Sequence, residues 1–296
     1  MPLTLVFGPG KAGRALALAH RRAGDDVRLV GRLRGAWQDW AEAEGIECAC
    51  LPASADADSV VDALGLRSGE RPATLLLAVP DDGLATLVTL LDEASVHAGL
   101  AAHVSGLHGV EALAPLAAHG ASTAALHPVL QFVAPEKDIL ALASAQVTVE
   151  CDLQDRAAAH ACVARWGATP VDLPHGIDRR RYHLGLAVAS NHVTALFAMA
   201  EDLLRPAFGD AARARVARMA GHAIAAAEAH GADQALTGPV VRGDVRTIAA
   251  HLAALAPEER AAYAGLLEAV VALAERSGRL DAVRAAEIRA LARQHD

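Results

Sequence analysis

The stretch TLVFGPGKAGRALALAHRRAG, which runs from Thr4 to Gly24, decides the fold of the first part of this chain. A hydrophobic run leads directly into three glycines, Gly8, Gly10 and Gly13, and an apolar-periodic segment follows them. A G-x-G-x-x-G pattern binds a dinucleotide when a strand precedes it and a helix follows it, and both conditions are met here. The stretch therefore predicts a strand–turn–helix unit that holds a pyrophosphate.

Each glycine of this turn has a predicted task. Gly8 permits the tight turn, Gly10 lets the backbone approach the pyrophosphate, and Gly13 lets the helix pack closely on the strand. The pyrophosphate would sit at the helix N-terminus, beside Lys11, where free N–H groups and the helix dipole favour an anion. The alternative is a glycine-rich turn that binds no ligand.

Strands and helices alternate from this stretch to about Pro174. The apolar runs predict strands at the following segments: 3–7, 27–30, 46–48, 73–80, 101–106, 122–128, 145–150 and 169–174. Helical patterns of about ten residues separate most of them, so we expect an α/β fold with a Rossmann-type, doubly wound parallel sheet. From about Arg179 the pattern is helical almost throughout. We therefore predict two domains, a nucleotide-binding domain over 1–173 and an all-helical domain over 174–296.

Composition narrows the classes of partner. The 296 residues are 53% hydrophobic and carry a formal net charge of −8, which argues against nucleic acid and anionic membranes as partners. No apolar run is expected to reach the roughly 18 to 20 residues that a membrane span needs, and the N-terminus reads as a strand, not a signal peptide. Four cysteines without a disulfide pattern indicate a reducing cytoplasm, and the 14 histidines show no metal-ligand spacing.

The end of the second strand predicts which dinucleotide is bound. Proteins that bind NAD place a carboxylate about 20 residues after the glycines to hold the ribose 2′-hydroxyl. Here the sequence is LVGRLRG, with Arg32 nineteen positions beyond Gly13 and Arg34 close behind, and no carboxylate competes. Guanidinium groups suit a 2′-phosphate, so we expect NADP. Two solvated surface arginines are the alternative.

The carboxyl ends of the other strands are expected to border the same binding crevice, because ligands in open α/β sheets bind outside the carboxyl ends of the strands. AVPDD ends the fourth strand, and Pro80 and Asp81 are expected to line the nicotinamide-side ribose. HVSG and LHPVLQF end the next two strands and bring Ser105 and His127 towards the reacting ring. A helix N-cap or turn residue at Ser105 and a packed or capping histidine at His127 are the alternatives.

The motifs GPGKAG, AVPDD, HVSG, LHPVLQF, YHLGLAVASNHVTAL and ALTGPVVRGDVRTIAAHL together resemble a family of NADP-dependent oxidoreductases with a Rossmann-like and a DUF2520 domain. That family is similar to ketopantoate reductase, pyrroline-5-carboxylate reductase and 6-phosphogluconate dehydrogenase-type enzymes. The resemblance implies a helical domain that often dimerises and an active site between the two domains. It implies no particular substrate.

The second-domain motifs add candidate catalytic residues. In YHLGLAVASNHVTAL, His183, Ala187 and Asn191 follow one another at helical spacing. Ketopantoate reductases look similar here but have Lys in place of His183 and Asn in place of Ala187, so only Asn191 matches. His183 is predicted to supply a proton in place of that lysine, and Asn191 to hydrogen-bond the substrate. Both residues have packing roles as alternatives.

The segment ALTGPVVRGD breaks the helical pattern before a helix that begins near Asp244, whose carboxylate suits the N-cap. The resemblance implies that Thr237, Arg242 and Asp244 face the cleft, which makes Arg242 a candidate for binding a substrate carboxylate. A loop arginine paired with Asp244 is the alternative.

These features predict an NADPH-dependent reductase of a small, carboxylate-bearing ketone or imine, acting as a homodimer. Prephenate-type dehydrogenases also have His-Pro after the sixth strand, so oxidation of a carboxylate substrate stays open. A non-catalytic NADP(H)-binding sensor on the same fold is the main alternative, and a module for another nucleotide is a third.

Overall fold

A computed structural model of the chain describes residues 1–51, 57–67, 70–174 and 176–294. One sheet of eight strands, in the order β3-β2-β1-β4-β5-β6-β7-β8, dominates the first part of the chain. Its strands are β1 (Leu3–Phe7), β2 (Asp26–Gly31), β3 (Glu47–Cys50), β4 (Thr74–Leu77), β5 (Leu100–His103), β6 (Ser122–Pro128), β7 (Gln146–Glu150) and β8 (Thr169–Asp172). The predicted Rossmann-type sheet is confirmed.

The α-helices alternate with these strands up to β8 and then follow one another. They are α1 (Lys11–Arg22), α2 (Ala36–Ala43), α3 (Ala57–Ala63), α4 (Asp81–Glu93), α5 (Ala114–Ala117), α6 (Pro135–Leu142), α7 (Arg156–Arg165), α8 (Arg179–Ala187), α9 (Val193–Phe208), α10 (Ala212–His230), α11 (Ala232–Ala235), α12 (Val245–Ala254), α13 (Pro257–Arg276) and α14 (Ala282–Gln294). A π-helical turn, Val188–His192, joins α8 to α9, and 3₁₀ turns cover Val110–Leu113 and Gly209–Ala211. Among the described residues every element after β8 is helical, as the sequence pattern predicts.

The direction of β7 corrects the sequence-based expectation of a parallel sheet. All neighbouring strands run parallel except β6 and β7, which are antiparallel and pair His127 with Thr148. The reason is that α6 returns the chain to the edge at which β6 ends. As a result, the middle of β7 lies beside the carboxyl end of β6.

Two apolar clusters hold the sheet between its helices. One contains Leu16, Leu29 and Leu126 on the face covered by α1, α6 and α7. The other contains Leu75, Leu91 and Leu113 on the face covered by α3, α4 and α5. A buried Leu contributes on the order of 1.5–3 kcal/mol, so these Leu-rich faces compensate for the scarcity of aromatic residues.

A buried polar network links α1, β2 and α7 at the end of the sheet opposite the glycine turn. His20 is fully buried, and its Nδ1 lies 2.7 Å from Asp25 Oδ2. Its Nε2 accepts a hydrogen bond from Trp166 Nε1 at 2.9 Å. Arg165 forms a two-pronged ion pair with Asp25. Because Nε2 accepts a hydrogen bond from the indole N–H, it carries no proton and His20 is neutral; burial lowers the pKa of His20 to about 4.

Contacts within the chain define two compact units, Met1–His192 and Val193–Asp296. The predicted domain boundary at 173 marks the end of the sheet instead, since α8 belongs to the first unit. The second unit has its own core around Ile248, Leu267, Val271 and Ile288.

One helical run among the described residues, Arg179–His230, is long and apolar enough to cross a membrane by length and composition, and its most apolar window is not buried. This contradicts the expectation that no segment reaches that length. The cause lies in Tyr182–Ala200, which carries no Asp, Glu, Lys or Arg although polar residues interrupt it.

Candidate functional site

The glycine turn between β1 and α1 has the geometry that the pattern predicts. Gly8 has a φ of +101°, and a Cβ there would overlap the carbonyl oxygen of Ala78. A Cβ on Gly13 would overlap the carbonyl oxygen of Gly8, so the helix packs directly on the turn. A Cβ on Gly10 would meet no described atom within 4 Å. Gly8 and Gly13 are therefore required by packing inside the chain, whereas Gly10 faces open space.

The N-terminus of α1 can hold an anion. Gly10 is its N-cap residue and provides no side-chain cap, and no acidic residue lies in the first turn. Lys11 is the first helical residue and is exposed. The free N–H groups and the helix dipole therefore favour a negative ligand.

A cavity of about 570 Å³ opens beside this turn. It is lined by the ends of β1 and β2 and by the start of α4, including Gly8, Gly31, Arg32 and Pro80. Arg34 and Asp81 are not part of its lining. Its volume is in the range of small-molecule and cofactor sites.

The guanidinium groups at the end of β2 have no partner among the residues that the structure describes. Arg32 and Arg34 are both exposed, and neither forms an ion pair or side-chain hydrogen bond within the described ranges. The nearby Glu47 is paired with Arg28 instead, at 3.0 Å. Both predicted cations are thus free to contact a ligand.

A second constellation forms around the end of β6, on the other side of the sheet's switch point. His127 Nδ1 lies 3.0 Å from the hydroxyl oxygen of Tyr182, the fourth residue of α8. That oxygen lies 2.8 Å from Thr148 Oγ1, on β7. Thr148 in turn donates a hydrogen bond of 3.3 Å to the carbonyl oxygen of His127. Three elements therefore close a ring of hydrogen bonds around one imidazole.

His183 completes this constellation. Its ring centroid is 6.1 Å from that of His127, and the two rings are nearly perpendicular. Gly106, after β5, lies against both rings: a Cβ there would be 2.6 Å from His183 Cδ2 and 2.8 Å from His127 Nε2. Glycine is therefore required at position 106, because the two rings already occupy the place that a Cβ would take.

The surroundings keep His127 neutral. Burial lowers the pKa of His127 to about 4, and the charges of Arg179 and His183 act in the same direction. Asp81 raises the pKa of His127 by a smaller amount, which places this predicted cofactor residue within electrostatic reach of the imidazole.

Arg179 ties the start of α8 to the loop after β5. It is buried, with its Nη2 donating to the carbonyl oxygens of Ser105 and His108 at 3.1 and 2.7 Å. Its Nε lies 3.4 Å from Glu150 Oε2, while Nη1 is buried without a partner among the described residues. These contacts fix α8, and with it Tyr182 and His183, over the carboxyl ends of β5 and β6.

The hydroxyl of Ser105 has a local task. Ser105 Oγ accepts hydrogen bonds from the backbone N–H groups of Leu107 and His108, at 3.1 and 3.0 Å. This is the turn role that the sequence left as its alternative. Because the oxygen already accepts two hydrogen bonds, a substrate could use only the hydroxyl proton of Ser105. The catalytic role of Ser105 stays a prediction.

Asn191 does not contact the imidazole pair. It lies in the π-helical turn Val188–His192, is exposed, and its Oδ1 accepts a hydrogen bond from Ser190 Oγ at 2.9 Å. The turn is wider than α, so α-helical spacing does not describe this part of the run. Single π-turns often occur at functional sites.

The candidates from the second unit lie around the start of α12. Asp244 is the N-cap residue that the sequence predicts, and it accepts hydrogen bonds from Thr247 N and Oγ1 at 3.1 and 2.7 Å. The bonds from Thr247 also lower the pKa of Asp244. Thr237 and Arg242 are exposed in the preceding loop. Their predicted part in substrate binding stays a prediction.

Sequence reasoning did not identify Tyr182, Thr148, Gly106 or Arg179 as site residues. Tyr182 stands beside His183 in a quoted motif, and Tyr is scarce in this chain, which was the available signal. The sequence could not predict Thr148 as a site residue, because its position beside His127 depends on the reversed direction of β7. Among the described residues no three His, Cys, Asp or Glu side chains come together as metal ligands.

Two family models match the chain. A Rossmann-like domain covers residues 4–128, and the domain of unknown function DUF2520 covers residues 145–270. No curated protein matches by sequence. Together the two domains account for most of the sheet and for the helices α7 to α12.

Solved structures share the fold at low sequence identity. A candidate NADP oxidoreductase from Bacteroides fragilis matches with a TM-score of 0.72 and 18% identity, over 91% of this chain and 98% of its own. A reductive aminase from Aspergillus terreus, solved with NADPH and ethyl-5-oxohexanoate, matches with a TM-score of 0.56 and 17% identity, over 99% and 92%. Prephenate dehydrogenase from Aquifex aeolicus, solved with NAD+ and hydroxyphenyl propionate, matches with a TM-score of 0.50 and 16% identity, over 73% and 78%.

Proposed function

Because the chain belongs to the family that joins a Rossmann-like domain to a DUF2520 domain, we propose that it is an NADPH-dependent oxidoreductase. Its substrate is a small ketone or imine that carries a carboxylate. The glycine turn and the adjacent cavity fit a dinucleotide by their shape and by the open space at Gly10. Bound NADPH would supply the hydride.

One observation carries the choice of NADP: the guanidinium of Arg32 at the edge of the cavity, which pairs with no residue that the structure describes. The fold itself does not decide, since similar structures hold NADPH in one case and NAD+ in another. A 2′-phosphate beside Arg32 and Arg34 would meet two cations, whereas the segment LVGRLRG has no carboxylate that could accept a hydrogen bond from a 2′-hydroxyl.

The chain's own residues divide the remaining tasks. His127 stands at the carboxyl end of β6 beside His183, and for a ketone His183 would provide the proton. Asn191 would orient the acceptor, Arg242 would bind the carboxylate, and Thr237 and Asp244 would line that part of the site. Ser105 would assist through its remaining proton.

Titration with NADPH and NADH, followed by fluorescence, tests the cofactor assignment. We expect wild type to prefer NADPH, and Arg32→Ala to weaken NADPH binding by ten-fold or more, since a charge-assisted hydrogen bond contributes about 1.5–3 kcal/mol. NADH binding should change little. Arg22→Ala, an exposed arginine at the far end of α1, is the matched control. Equal affinity of wild type for both cofactors would overturn the assignment.

The sensor alternative is tested with a panel of 2-oxo acids and cyclic imines. NADPH oxidation with any of them supports an enzyme. Tight NADPH binding without turnover of any substrate would favour the non-catalytic NADP(H)-binding protein.

We also propose that the protein is a cytoplasmic homodimer. The four cysteines are free thiols, which suits a reducing compartment. Large apolar side chains are exposed along the run that also has the length of a membrane span: Leu184, Val188, Val193, Leu196, Leu203, Phe208, Met219 and Ile224. Ser190, Asn191 and His192 lie within the run, and such polar groups are costly in a bilayer, so a second copy is the better cover.

A further inference from the structure

The backbone at the end of β2, from which the two free arginines extend, is held by hydrogen bonds at successive carbonyl groups. The carbonyl oxygen of Val30 accepts a hydrogen bond from Gly8 N, at 2.9 Å. The carbonyl oxygen of Gly31 accepts one from Leu51 N, at 2.8 Å. Both donors are backbone N–H groups, which almost any residue supplies. These two bonds join the end of β2 to the glycine turn and to the end of β3.

The next two carbonyl groups are held by side chains instead. Cys50 Sγ, at the end of β3, donates a hydrogen bond to the carbonyl oxygen of Arg32 at 3.6 Å. Trp37 Nε1, in the first turn of α2, donates one to the carbonyl oxygen of Leu33 at 2.8 Å. A carbonyl oxygen only accepts, so the direction of both bonds is fixed, and the thiol is the weaker of the two donors.

These two side-chain bonds hold the two peptide groups that separate Arg32 from Arg34. One of these peptides contains the carbonyl group of Arg32, and the other contains that of Leu33. Holding both fixes the spacing of the two arginine α-carbons, and so the points from which the guanidinium groups reach towards a ligand. The conformational entropy of the segment is then lost on folding and not on binding, which favours affinity.

The ring of Trp37 also connects this segment with the glycine turn. A Cβ at Gly31 would be 2.6 Å from Trp37 Cζ2 and 3.1 Å from Pro9 Cγ, so both rings lie directly against the same glycine. Pro9, Gly31 and Arg32 all line the cavity beside the turn. The indole therefore supports the wall of the cavity with its ring while its N–H holds the carbonyl group of Leu33.

We propose that Trp37, supported by Cys50, is a specificity-determining positioning residue through which the site selects a dinucleotide that carries a 2′-phosphate. The inference rests on the proposed NADPH-dependent function. The phosphate would be contacted by the guanidinium groups of Arg32 and Arg34, and the two supporting side chains would act only through those arginines. NADH has a hydroxyl in place of this phosphate, so its affinity should not depend on the supporting bonds.

Substitution of the donor separates this role from a purely structural one. Trp37→Phe keeps an aromatic ring beside Gly31 and removes the N–H. Calorimetric titration of the full-length protein, which does not rely on tryptophan fluorescence, should show NADPH binding weakened about five-fold, in the range of one lost hydrogen bond, and NADH binding unchanged. Cys50→Ala should weaken NADPH binding about two-fold, since a thiol is a weak donor. A residue that served only the packing of α2 would change both affinities or neither.

The chain offers a matched control for each variant. Trp40, on the same helix as Trp37, donates its N–H to Glu136 Oε1 at 2.6 Å. Cys48, on the same strand as Cys50, donates to the carbonyl oxygen of Ile46 at 3.9 Å. Trp40→Phe and Cys48→Ala therefore remove equivalent bonds outside the arginine segment. Both should keep the wild-type ratio of NADPH to NADH affinity.

Adenosine 2′,5′-bisphosphate and adenosine 5′-monophosphate repeat the comparison without the nicotinamide half of the cofactor. Trp37→Phe should weaken binding of the bisphosphate by the same factor as NADPH and leave the monophosphate unchanged. Thermal melts of all variants show whether each one is folded, and Cys50→Ala, which leaves α2 intact, tests the same segment if Trp37→Phe does not fold.

The outcomes separate this inference from the function on which it rests. If wild type prefers NADPH and Arg32→Ala loses that preference, an unchanged preference in Trp37→Phe and Cys50→Ala would contradict the inference and leave the NADPH-dependent function intact. Equal weakening of NADPH and NADH in Trp37→Phe would contradict it as well, because the packing of α2 would then explain the effect. A wild type without preference for NADPH would overturn the cofactor assignment and the inference together.

Discussion

At the scale of single residues, the three glycines of the β1–α1 turn are not equivalent. Gly8 and Gly13 are constrained by backbone atoms of the chain itself, whereas Gly10 has nothing in front of it. The sequence pattern treats them as one motif because it records residue type and spacing alone. The structure separates the two that build the turn from the one that is left for a ligand.

This separation predicts opposite phenotypes for two alanine substitutions. Gly10→Ala should leave the unfolding temperature nearly unchanged, since its φ of −69° suits alanine, but should weaken NADPH binding ten-fold or more. Gly13→Ala should lower the unfolding temperature by several degrees, because its Cβ would overlap Gly8. Thermal melts and fluorescence titration measure both. Unchanged NADPH affinity in Gly10→Ala would argue against a pyrophosphate at this turn.

Other residues show what sequence reasoning cannot resolve at this scale. Ser105 and Asp244 were chosen as chemical groups, and both hold backbone N–H groups in the structure. The same side-chain oxygens serve a turn, a cap or a substrate, so residue type does not discriminate. Tyr182 and His127 are 55 positions apart, and only the folded chain brings them together.

At the scale of elements, the sequence predicted all eight strands, and most clearly the central ones such as β1 and β4, because a strand buried on both faces reads as an uninterrupted hydrophobic segment. Two helices were missed. α3 follows a segment of weak pattern, whereas α6 had recognisable signals in Pro135 at its start and in Ile139 and Leu142 on one face. The direction of β7 was not predictable, since an alternating pattern is the same in either direction.

The network between α1, β2 and α7 predicts a pH dependence of stability. His20 is held neutral with a pKa of about 4, below the ordinary value of 6.5, so the unfolded chain binds the extra proton first. The contribution is complete above pH 6.5 and is lost as the pH falls towards 4, with an upper limit of about 3 kcal/mol. Urea unfolding at pH 7, 5.5 and 4.5 should show this decrease.

The substitution His20→Gln isolates this effect, because glutamine can donate to Asp25 and accept from Trp166 without titrating. We expect a weaker loss of unfolding free energy between pH 6.5 and 4.5 than in wild type. His222→Gln, at an exposed position of α10, is the control and should keep the wild-type slope. Equal slopes in all three proteins would exclude His20 as the titrating group.

At the scale of the whole molecule, the chain contains two compact units whose exposed surfaces differ. In the second unit, Met219 and Ile224 are 73% and 58% exposed on α10, although such side chains are usually covered. The sequence predicted a helical domain that dimerises, but apolar helix faces alone do not tell whether they pack within one chain or between two.

Light scattering after size exclusion tests the dimer. Wild type should have a mass of about 61 kDa, twice the 30.5 kDa of one chain, in buffer without detergent. The double substitution Met219→Glu and Ile224→Glu should shift the mass towards one chain, because burying two carboxylates is costly. Leu153→Glu, at a residue 75% exposed in the first unit, should not. A monomeric wild type would contradict the proposal, and a requirement for detergent would favour a membrane.

The reversed strand β7 makes the chemistry of the imidazole depend on how two strands are aligned. Neighbouring positions on β7 point to opposite faces of the sheet, so a slip of one residue would put Val147 or Val149 where Thr148 now stands. The hydroxyl would then be replaced by a hydrocarbon although no residue had mutated. Insertions or deletions in the connection 129–145 could therefore remove this hydroxyl from the hydrogen-bond ring while every side chain of the ring stays unchanged.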